Sequence, residues 1–300
     1  MNSVAICTVK DEAHYLLEWI AYYRSFGFKH VLIATNNNSD CTYDMLEKLS
    51  AVLPWFHWIN NDIKEEGHAP QLRAYRLCTE WLLDRKFKGL AGVFDSDEFL
   101  LPAKGETLSD LWEQYPGADC VSFNWRIFGS NGHATKTPGL VIERFDKAAP
   151  EDINAHFEFK SLFRVDSHLT YITPHYPQYA DEEQRVFLMA DGEPMDPKAR
   201  LDQDYRYHSR RHYKTAQVNH YMLRSRQEFD AKKLRGRGPV TKEEALEAPR
   251  HDDEFFKRFD LNYVAMPMSG NRIVKTRVLM KRLYKRAGLD ELQPMAFFGL

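Results

Sequence analysis

The amino-acid sequence predicts an α/β fold with three parts: a parallel sheet with flanking helices, a mixed half, and a helical C-terminal extension. The first observation is that short apolar runs alternate with segments of helical period through the first hundred residues. The second is that a polar loop follows each apolar run. The chain has 300 residues, a length that suits one continuous α/β domain. We expect a ligand-binding half at 1–102, a mixed half at 103–224 and the helical extension at 225–300.

The first half contains four predicted strands, each a compact run of apolar residues, with three helices between them. Gly27 and Pro54 end the first two helices, because glycine and proline do not continue a helix. In chain order the predicted elements are strand Val4–Val9, helix Ala13–Phe26, strand His30–Ala34, helix Thr42–Leu53, strand Phe56–Asn60, helix Pro70–Phe87 and strand Leu90–Phe94.

After Pro102 the pattern becomes mixed. Charged, proline-punctuated sequence from Asp181 to Tyr207 predicts an exposed loop. From Ser225 onward the periodicity is mainly helical. The other predicted elements are a short helix at Leu108–Gln114 and extended segments at Cys120–Phe128, Leu140–Phe145, Phe157–Val165 and Thr170–Thr173.

The charge balance and the cysteines exclude several classes of protein. The 41 basic and 43 acidic residues give a formal charge of -2, which argues against a strongly basic nucleic-acid binder. The four cysteines form no CxxC pair, so neither a zinc knuckle nor a disulfide framework is indicated. The first apolar run ends at charged Lys10, and no run has the length of a membrane span. We therefore expect a cytoplasmic protein in a reducing compartment.

Four polar loops follow the predicted strands. In a parallel sheet the ligands bind beyond the carboxyl ends of the strands. We therefore expect these loops to meet at one cleft, which favours a binding or catalytic role over a purely structural one. The loops are Lys10–Glu12, Thr35–Asp40, Asp62–Glu66 and Asp95–Glu98.

The strongest local signal is the acidic motif Asp95–Ser96–Asp97, followed by Glu98, at the end of the fourth strand. Mg²⁺ and Mn²⁺ prefer oxygen ligands, and such a cation neutralises a departing diphosphate. An isolated D-x-D sequence is more often the acidic start of a loop. The position at the end of the fourth strand favours metal binding here, with Asp95 and Asp97 as ligands.

Eight segments, taken in order, carry a family resemblance. Through the first hundred residues they are VAICTVKDEAHYLLEWIAYYRSFGFKHVLI, NNNSDCT, QLRAYRLC and GVFDSDEFL. More sparsely, they continue as NWRIFGSNGH, LVIERF, FKSLFR and VNHYMLRSRQEFDAKKLRG. Each is weak alone, but their order and spacing make the combination specific. Together they resemble the family 2 glycosyltransferases and their relatives, including a branch first catalogued as a domain of unknown function.

The resemblance implies a GT-A fold, a nucleotide-sugar donor that is by default a UDP-sugar, and Mn²⁺ or Mg²⁺ as cofactor. It implies that Asp95 and Asp97 bind the metal and the diphosphate, with Asp95 also near the ribose. Residues after the first two strands are implied to line the donor pocket: Thr8, Lys10, Glu12, Asn36 and Asp40.

Two positions depart from the family's pattern. Asp11 stands where asparagine is common, and Thr35 stands where aspartate is common. Both lie in the implied nucleotide pocket. These two differences therefore affect the prediction of which base is bound and leave the predicted metal site unchanged.

The far half of the chain supplies a third candidate metal ligand. Similar enzymes often complete the metal shell from this half, and His220 is our candidate because a neutral imidazole can bind such a metal. A buried histidine hydrogen-bonded within a strand is an equally supported alternative. We expect Lys232 and Arg235 to bind the donor diphosphate, with a solvated basic face as the alternative for at least half of the surrounding run. That run is Arg224, Arg226, Lys232, Lys233, Arg235 and Arg237.

An inverting transfer needs a carboxylate that takes the proton of the acceptor hydroxyl. Glu143 is our first candidate because it lies in the family-like segment LVIERF, and Asp97 is the second catalytic candidate through its role at the metal. Asp152 and Glu158 are alternatives to Glu143. Each of these acceptor-side carboxylates also suits a structural role.

Trp125 and His133 are candidate contacts to the donor sugar or the acceptor. A flat ring can cover the apolar face of a sugar, and an imidazole can supply a hydrogen bond. Trp125 suits a place in the core equally well.

The sequence therefore predicts an inverting hexosyltransferase that acts on a saccharide or glycolipid hydroxyl, as in polysaccharide biosynthesis. One rival is a nucleotidyltransferase or nucleotide-sugar pyrophosphorylase, but the Gly-rich phosphate loop of such an enzyme is missing, since Thr8–Tyr15 contains no glycine. A second rival is a noncatalytic protein that binds a nucleotide or a sugar.

The segment Arg272–Arg286 carries seven basic residues and no acidic one. A solvated C-terminal helix is the first interpretation, and peripheral docking on an inner membrane or on an acidic acceptor polymer is the alternative. Elsewhere, His208 and His212 have helical spacing but no third nearby ligand, so we expect no zinc site there.

Overall fold

The structure, a computed structural model, describes residues 1–63, 69–104, 107–201, 211–234 and 252–300. Strands and helices alternate in its first hundred residues, as the sequence predicts. Helix α3 ends three residues before the predicted boundary, and strand β5 was not predicted. The elements are β1 (Ser3–Val9), α1 (Ala13–Phe26), β2 (His30–Thr35), α2 (Thr42–Val52), β3 (Phe56–Asn60), α3 (Pro70–Asp84), β4 (Gly89–Val93) and β5 (Glu98–Pro102).

The second half mixes short strands and helices, and helices dominate the C-terminal part. From residue 107 to 220 the elements are α4 (Leu108–Trp112), β6 (Cys120–Ile127), α5 (Val141–Arg144), β7 (Lys147–Ala148), β8 (Phe159–Val165), β9 (Leu169–Ile172), β10 (Pro177–Tyr179), β11 (Phe187–Met189), α6 (Lys198–Leu201) and β12 (Ala216–His220). The remaining ones are α7 (Arg226–Leu234), α8 (Asp253–Phe259), β13 (Val264–Ala265) and α9 (Gly270–Arg286).

The segment Leu140–Phe145 was predicted to be extended, and this prediction is wrong because it contains helix α5. The cause is a distant residue on α1. The buried carboxylate of Glu18 accepts hydrogen bonds from the backbone N–H groups of Val141, at 2.8 Å, and Ile142, at 3.0 Å. These bonds satisfy donors that the first turn of a helix leaves unpaired.

The prediction of an exposed loop at Asp181–Tyr207 is also wrong in part. Strand β11 lies within it and pairs in parallel with the first residues of β6. Phe187 and Met189, two residues apart on β11, are both buried. A period-two pattern of only three residues is too short to be recognised among the surrounding charges, and residues 202–207 lie outside the described part of the chain.

Nine strands of the described residues form one twisted sheet in the order β3-β2-β1-β4-β8-β6-β12-β5, with β11 also paired to β6. Strands β3, β2, β1 and β4 are mutually parallel. Strand β8 is antiparallel to both β4 and β6, and β12 is parallel to β6. The predicted α/β class is confirmed: a parallel Rossmann-like half continues into a mixed half, as expected of a GT-A protein.

This topology brings distant segments to one edge of the sheet. The carboxyl ends of β1 to β4 lie at this edge. The start of β8 lies there too, because β8 is antiparallel to β4. Since β6 and β12 run with β4, their last residues reach the same edge. Strand β5 begins there because it is antiparallel to β12. Side chains at 95–98, 125, 158–160 and 220 are therefore neighbours in the fold.

Helix α1 lies between the sheet and α9, and its aromatic side chains fill much of the core. Trp19, Tyr22, Tyr23 and Phe26 are all fully buried. The hydroxyl of Tyr23 donates to the carbonyl of Glu98 at 3.0 Å and accepts from the N–H of Leu100 at 3.0 Å, so this core residue also holds the start of β5. Among the described residues, no helix is both long enough and apolar enough to cross a membrane.

Candidate active site

The loops after β1, β2 and β3 are joined by hydrogen bonds, as the convergence of strand ends predicts. The carboxylate of Asp11 accepts from the backbone N–H of Ser39 at 2.5 Å and of Asp40 at 3.2 Å. The N–H of Asn37 donates to Asp62 at 2.6 Å. Glu66, the last residue of the third predicted loop, lies outside the described residues.

The two departures from the family's pattern have structural reasons. Asp11 adopts a left-handed backbone conformation with φ of 53°, which aspartate and asparagine tolerate better than most residues, and its carboxylate ties the first loop to the second. The Thr35 hydroxyl donates to the carbonyl of Val9 at 3.0 Å and accepts from the Asn38 amide at 2.7 Å. Both residues therefore brace the two loops.

Asp40, a predicted donor contact, also has a role in this bracing. One carboxylate oxygen accepts from the N–H of Ala13 at 3.1 Å, and the other from the N–H of Thr42 at 2.9 Å. These residues begin α1 and α2, whose N-terminal N–H groups attract a negative charge. Asp40 thus fixes the starts of both helices beside the predicted donor pocket.

The acidic motif lies at the carboxyl edge beside a buried lysine. Asp95 is partly exposed, whereas Asp97 and Glu98 are buried. Nζ of Lys160, on β8, lies 3.0 Å from Asp95 Oδ2 and 3.2 Å from Glu98 Oε2. Glu98 Oε2 also accepts from the N–H of Asp95 at 2.8 Å. The motif is therefore a fixed cluster rather than the exposed start of a loop.

The charges of this cluster are strongly coupled. Burial opposes the charge on Lys160, but Asp95 and Glu98 outweigh it and hold the pKa of the ammonium group well above its ordinary value. Burial, together with the negative charge of Asp95, raises the pKa of Glu98 to about 7, although Lys160 opposes this shift. Lys160 is therefore a permanent cation within the cluster.

Asp97 faces residues from the far half of the chain. Nζ of Lys232, on α7, lies 2.6 Å from Asp97 Oδ2, and His220 Nε2 lies 3.5 Å from Asp97 Oδ1. Burial alone would raise the pKa of Asp97, but Lys232 and His220 hold it well below its ordinary range. The structure thus brings together Asp97, His220 and Lys232, three residues for which the sequence predicts roles at the metal or the diphosphate.

Asp97 and His220 are side chains that could contribute two ligands to a divalent cation. Within the described residues no three carboxylate, imidazole or thiolate groups converge as a complete metal site. One carboxylate and one imidazole lie within 3.5 Å of each other, however, and Asp95 is on the same loop. Such a donor set suits Mn²⁺ or Mg²⁺ when phosphate oxygens and water supply the remaining ligands. The Lys232 ammonium group competes for the same carboxylate.

A cavity of about 670 Å³ is lined by residues of helix α8 on one side and by Trp125, Glu158 and Met222 on the other, a volume within the size range of small-molecule sites. Trp125, on β6, and Glu158, which directly precedes β8, both line it, and the N–H of Trp125 donates to the carbonyl of Glu158 at 2.8 Å. The rings of Trp125 and His220 are 4.3 Å apart in an edge-to-face arrangement. Met222 lies on the cavity wall, and its carbonyl accepts from Lys232 at 3.4 Å. The cavity therefore adjoins Asp97 through both His220 and Lys232.

Helix α7, which carries Lys232, is held by a buried carboxylate. The Ser225 hydroxyl donates to Glu228 at 2.5 Å, and the backbone N–H of each residue donates to the side chain of the other, which forms a reciprocal cap at the start of the helix. Glu228 also accepts two hydrogen bonds from the Arg144 guanidinium, at 2.9 and 2.7 Å, and one from the Tyr15 hydroxyl at 2.9 Å. We call this group, Tyr15, Arg144, Ser225 and Glu228, the helix clamp.

Arg224 lies between the helix clamp and the first loop. Its guanidinium group lies over the Tyr15 ring, 3.5 Å from the centroid, and Nη1 lies 3.5 Å from Glu12 Oε2. Burial opposes its charge, but Glu12, Tyr15 and Asp97 outweigh this effect and raise its pKa. Arg224 therefore joins the loop after β1 to the region of Asp97.

Other predicted residues lie in varied surroundings. Thr8 is the second-last residue of β1 and is partly buried. His133 packs against Phe145, and its carbonyl accepts from the N–H of Arg226 at 3.0 Å. Lys10 and Asn36 are partly exposed in the first two loops.

The structure does not bring Glu143 to the acidic cluster. Its carboxylate pairs with Arg277 of α9. Of the three candidate bases, Glu158 is the one that lines the cavity. Arg235 and Arg237 lie outside the described residues, as does His208.

Sequence reasoning missed Lys160 and the helix clamp. A single lysine within the apolar strand FKSLFR signals a buried cation that needs carboxylate partners. The sequence Ser225-Arg-Gln-Glu228 is a capping-box pattern and could have placed the start of α7. Neither signal identifies the distant partner, since Lys160 and Asp95 are far apart in the sequence.

Comparison with known proteins gives a family match. The model for glycosyltransferase family 92 matches residues 3–236. A family 92 protein of Oryza sativa subsp. japonica is 29% identical over 177 residues, which cover 55% of this chain and 27% of that protein. The chain thus spans about a quarter of its relative's length. The sequence motifs suggested family 2, and the match to family 92 corrects that assignment.

Two solved structures show weak likeness. TarS residues 1–349 from S. aureus aligns with a TM-score of 0.34 and 15% identity, covering 55% of this chain and 47% of that one. Mannosyltransferase PcManGT from Pyrobaculum calidifontis, in complex with GDP-Man and Mn²⁺, aligns with a TM-score of 0.31 and 16% identity, covering 41% of this chain and 35% of that one. At these scores the likeness carries no argument about the site.

The helix clamp makes stability dependent on pH. Burial favours the protonated form of Glu228, but Arg144 and Ser225 lower its pKa to about 2. This lowered pKa stabilises the fold above about pH 4.5, and the contribution is lost as the pH falls toward 2. We expect Glu228→Gln to lower the free energy of unfolding by about 3 kcal/mol at pH 7. The difference from wild type should shrink between about pH 5 and pH 3 in urea titrations.

Exposed Glu183 provides the control, since Glu183→Gln should change stability by less than about 0.5 kcal/mol. An equal loss for the Glu228 variant at both ends of this pH range would contradict the role of the ionised carboxylate.

Proposed function

This chain belongs to glycosyltransferase family 92, and from that premise we propose that it transfers a sugar from a nucleotide-sugar donor to a hydroxyl of a saccharide or glycolipid. The observation that carries the proposal is the position of the acidic cluster. Asp95 and Asp97 lie at the carboxyl edge of a parallel sheet, between the three braced loops and the cavity walled by Trp125. This arrangement offers separate places for a donor and an acceptor.

The donor pocket lies on the side of β1 and β2. The bracing of the first two loops by Asp11 and Asp40 preorganises backbone groups around a nucleoside, with Thr8, Lys10, Glu12 and Asn36 available as contacts. Lys232 and Arg224 are the cations beside Asp97 that support binding of the diphosphate. A UDP-sugar is the default donor, because such donors are common among the enzymes that the sequence resembles.

A divalent cation held by Asp97 and His220, with Asp95 beside them, would neutralise the diphosphate as it leaves. This chain's own residues have complementary roles. Lys160 keeps Asp95 and Glu98 in place. When the donor binds, Lys232 releases the carboxylate of Asp97 and pairs with a phosphate oxygen.

The acceptor occupies the cavity, whose wall includes the largely buried Trp125, and the part of this ring that reaches the cavity can contact the apolar face of a sugar. In the transfer, the acceptor oxygen bonds to the anomeric carbon while the bond from that carbon to the diphosphate oxygen breaks. The hydroxyl proton passes to a carboxylate, and the nucleoside diphosphate leaves with the bonding electrons. Attack from the cavity side in a single displacement gives inversion.

We assign the proton acceptor to Glu158 rather than to Glu143. Glu158 lines the cavity and immediately precedes β8, two residues before Lys160, with Oε2 3.9 Å from Nδ1 of His175. Glu143 is engaged by Arg277. The described residues, which include all four cysteines, contain no disulfide, as the expected reducing, cytoplasmic location requires.

The donor site is tested by calorimetric titration of UDP, GDP and CDP with and without Mn²⁺. We expect metal-dependent binding of one nucleotide and at least a tenfold weaker affinity, about 1.4 kcal/mol, for Asp97→Asn. Asp84→Asn, an exposed change on α3, is the control and should bind as wild type does. If no nucleotide binds under any condition, the donor site is not where we place it.

The base assignment is tested by steady-state kinetics once a donor and an acceptor are known. We expect Glu158→Gln to lower kcat by a factor of about 10²–10⁴ and to leave nucleotide affinity unchanged. Glu143→Gln should retain most of the activity. The reverse result, with loss of turnover in the Glu143 variant alone, would restore the first choice made from the sequence.

Lys232 is expected to compete with the metal for Asp97. In nucleotide-free protein, Lys232→Met should bind Mn²⁺ about tenfold more tightly, because a charge-assisted hydrogen bond no longer opposes the metal. Electron paramagnetic resonance of free Mn²⁺ measures this directly. Lys233→Met is the matched control, since Lys233 pairs with Asp253 instead. Equal Mn²⁺ affinities in the two variants would rule out the competition.

A further inference from the structure

Helix α9 presents a basic face to solvent. Its other face, which includes Met280, Leu283 and Tyr284, is buried toward α1, and Ser269 caps its first turn by accepting from the N–H of Arg272 at 3.3 Å. The helix is thus a fixed part of the fold. The exposed side chains recur at the spacing of one helical stripe: Val274, Val278, Lys281, Arg282 and Lys285.

The cations at the C-terminal end of this stripe are uncompensated. Lys281, Arg282, Lys285 and Arg286 form no ion pair with any residue that the structure describes. The helix itself contains no acidic residue. The chain as a whole has a formal charge of -2, so this basic face is a local excess of charge and not a consequence of composition.

Two exposed valines share the stripe with the cations. Val274 is 58% exposed and Val278 is 43% exposed, and they lie one turn apart on the same face. Large apolar side chains this exposed are few in the described residues. A purely solvated face has no need of them.

We propose that the exposed face of α9 docks this protein on an anionic lipid bilayer. Basic side chains are attracted to anionic headgroups, each contributing about fivefold to membrane partitioning. The valines can enter the boundary between headgroups and acyl chains. Because the main apolar face of α9 is used inside the protein, the helix lies on the membrane surface without inserting deeply.

The valines favour a bilayer over a soluble polyanion as the partner. An acidic polymer in water would contact the cations but would gain little from two exposed valines. The inference is independent of the sugar-transfer proposal, since it concerns a face outside the acidic cluster and the cavity.

Co-sedimentation of the full chain with vesicles tests the proposal. We expect binding to phosphatidylcholine mixed with phosphatidylglycerol, and none to phosphatidylcholine alone. Binding should decrease strongly at about 0.5 M salt, because charges separated by more than a few ångströms are then screened. Lys281→Glu/Lys285→Glu should reduce the partition coefficient by about tenfold or more.

The matched control is Lys88→Glu/Lys104→Glu, which changes the net charge equally at exposed positions elsewhere and should bind as wild type does. Lys281→Gln/Lys285→Gln provides a milder pair in case charge reversal prevents folding. Equal binding by wild type and both α9 variants would overturn the proposal.

A second pair of measurements separates the bilayer from a soluble polyanion. Val274→Ser/Val278→Ser should weaken binding to anionic vesicles several-fold and leave binding to heparin unchanged. If the valine variant binds vesicles as wild type does, while heparin competes fully, the face is a polyanion site and the membrane assignment is wrong.

Discussion

Burying the carboxylate of Glu98 and part of Asp95 at the edge of a sheet costs solvation free energy, and the ammonium group of Lys160 offsets that cost. An unpaired buried carboxylate would be protonated or would open the structure to water. Lys160 lies within 3.2 Å of both groups, so it fixes the acidic motif in place and partly opposes the rise in the pKa of Glu98 that burial causes. The position of Asp97, and hence of everything proposed to bind there, depends on this arrangement.

The fold brings Lys160 to Asp95 and Glu98 because β8 is antiparallel to β4. Its first residues reach the carboxyl edge, where the parallel strands deliver their polar loops. The helix clamp also joins segments that are far apart in the sequence. Glu228 ties α7 to Arg144 and Tyr15, and α7 places Lys232 next to Asp97. One half of the chain supplies the acidic groups, and the other half supplies the cations and the cavity wall.

Much of the first half could be predicted from the sequence, because each strand and helix there is long enough to show its own period. Helix α1 and strand β3 have the predicted bounds. Asp95 and Asp97 were found because both follow one strand. The second half depends on partners far away in the sequence: α5 forms on the carboxylate of Glu18, and β11 is three residues long. Glu158 is one of three candidate bases from the sequence, and its place in the cavity lining is the reason that we propose it instead of Glu143.

The most direct test of sugar transfer is the release of nucleoside diphosphate from a panel of nucleotide sugars, measured with and without a divalent metal and a pool of saccharide acceptors. Our account predicts release from one nucleotide sugar, faster with a suitable acceptor, and its loss in an Asp95→Ala/Asp97→Ala variant. Tight nucleotide binding with no release from any donor, whatever the acceptor, would contradict it and would indicate a noncatalytic binding protein.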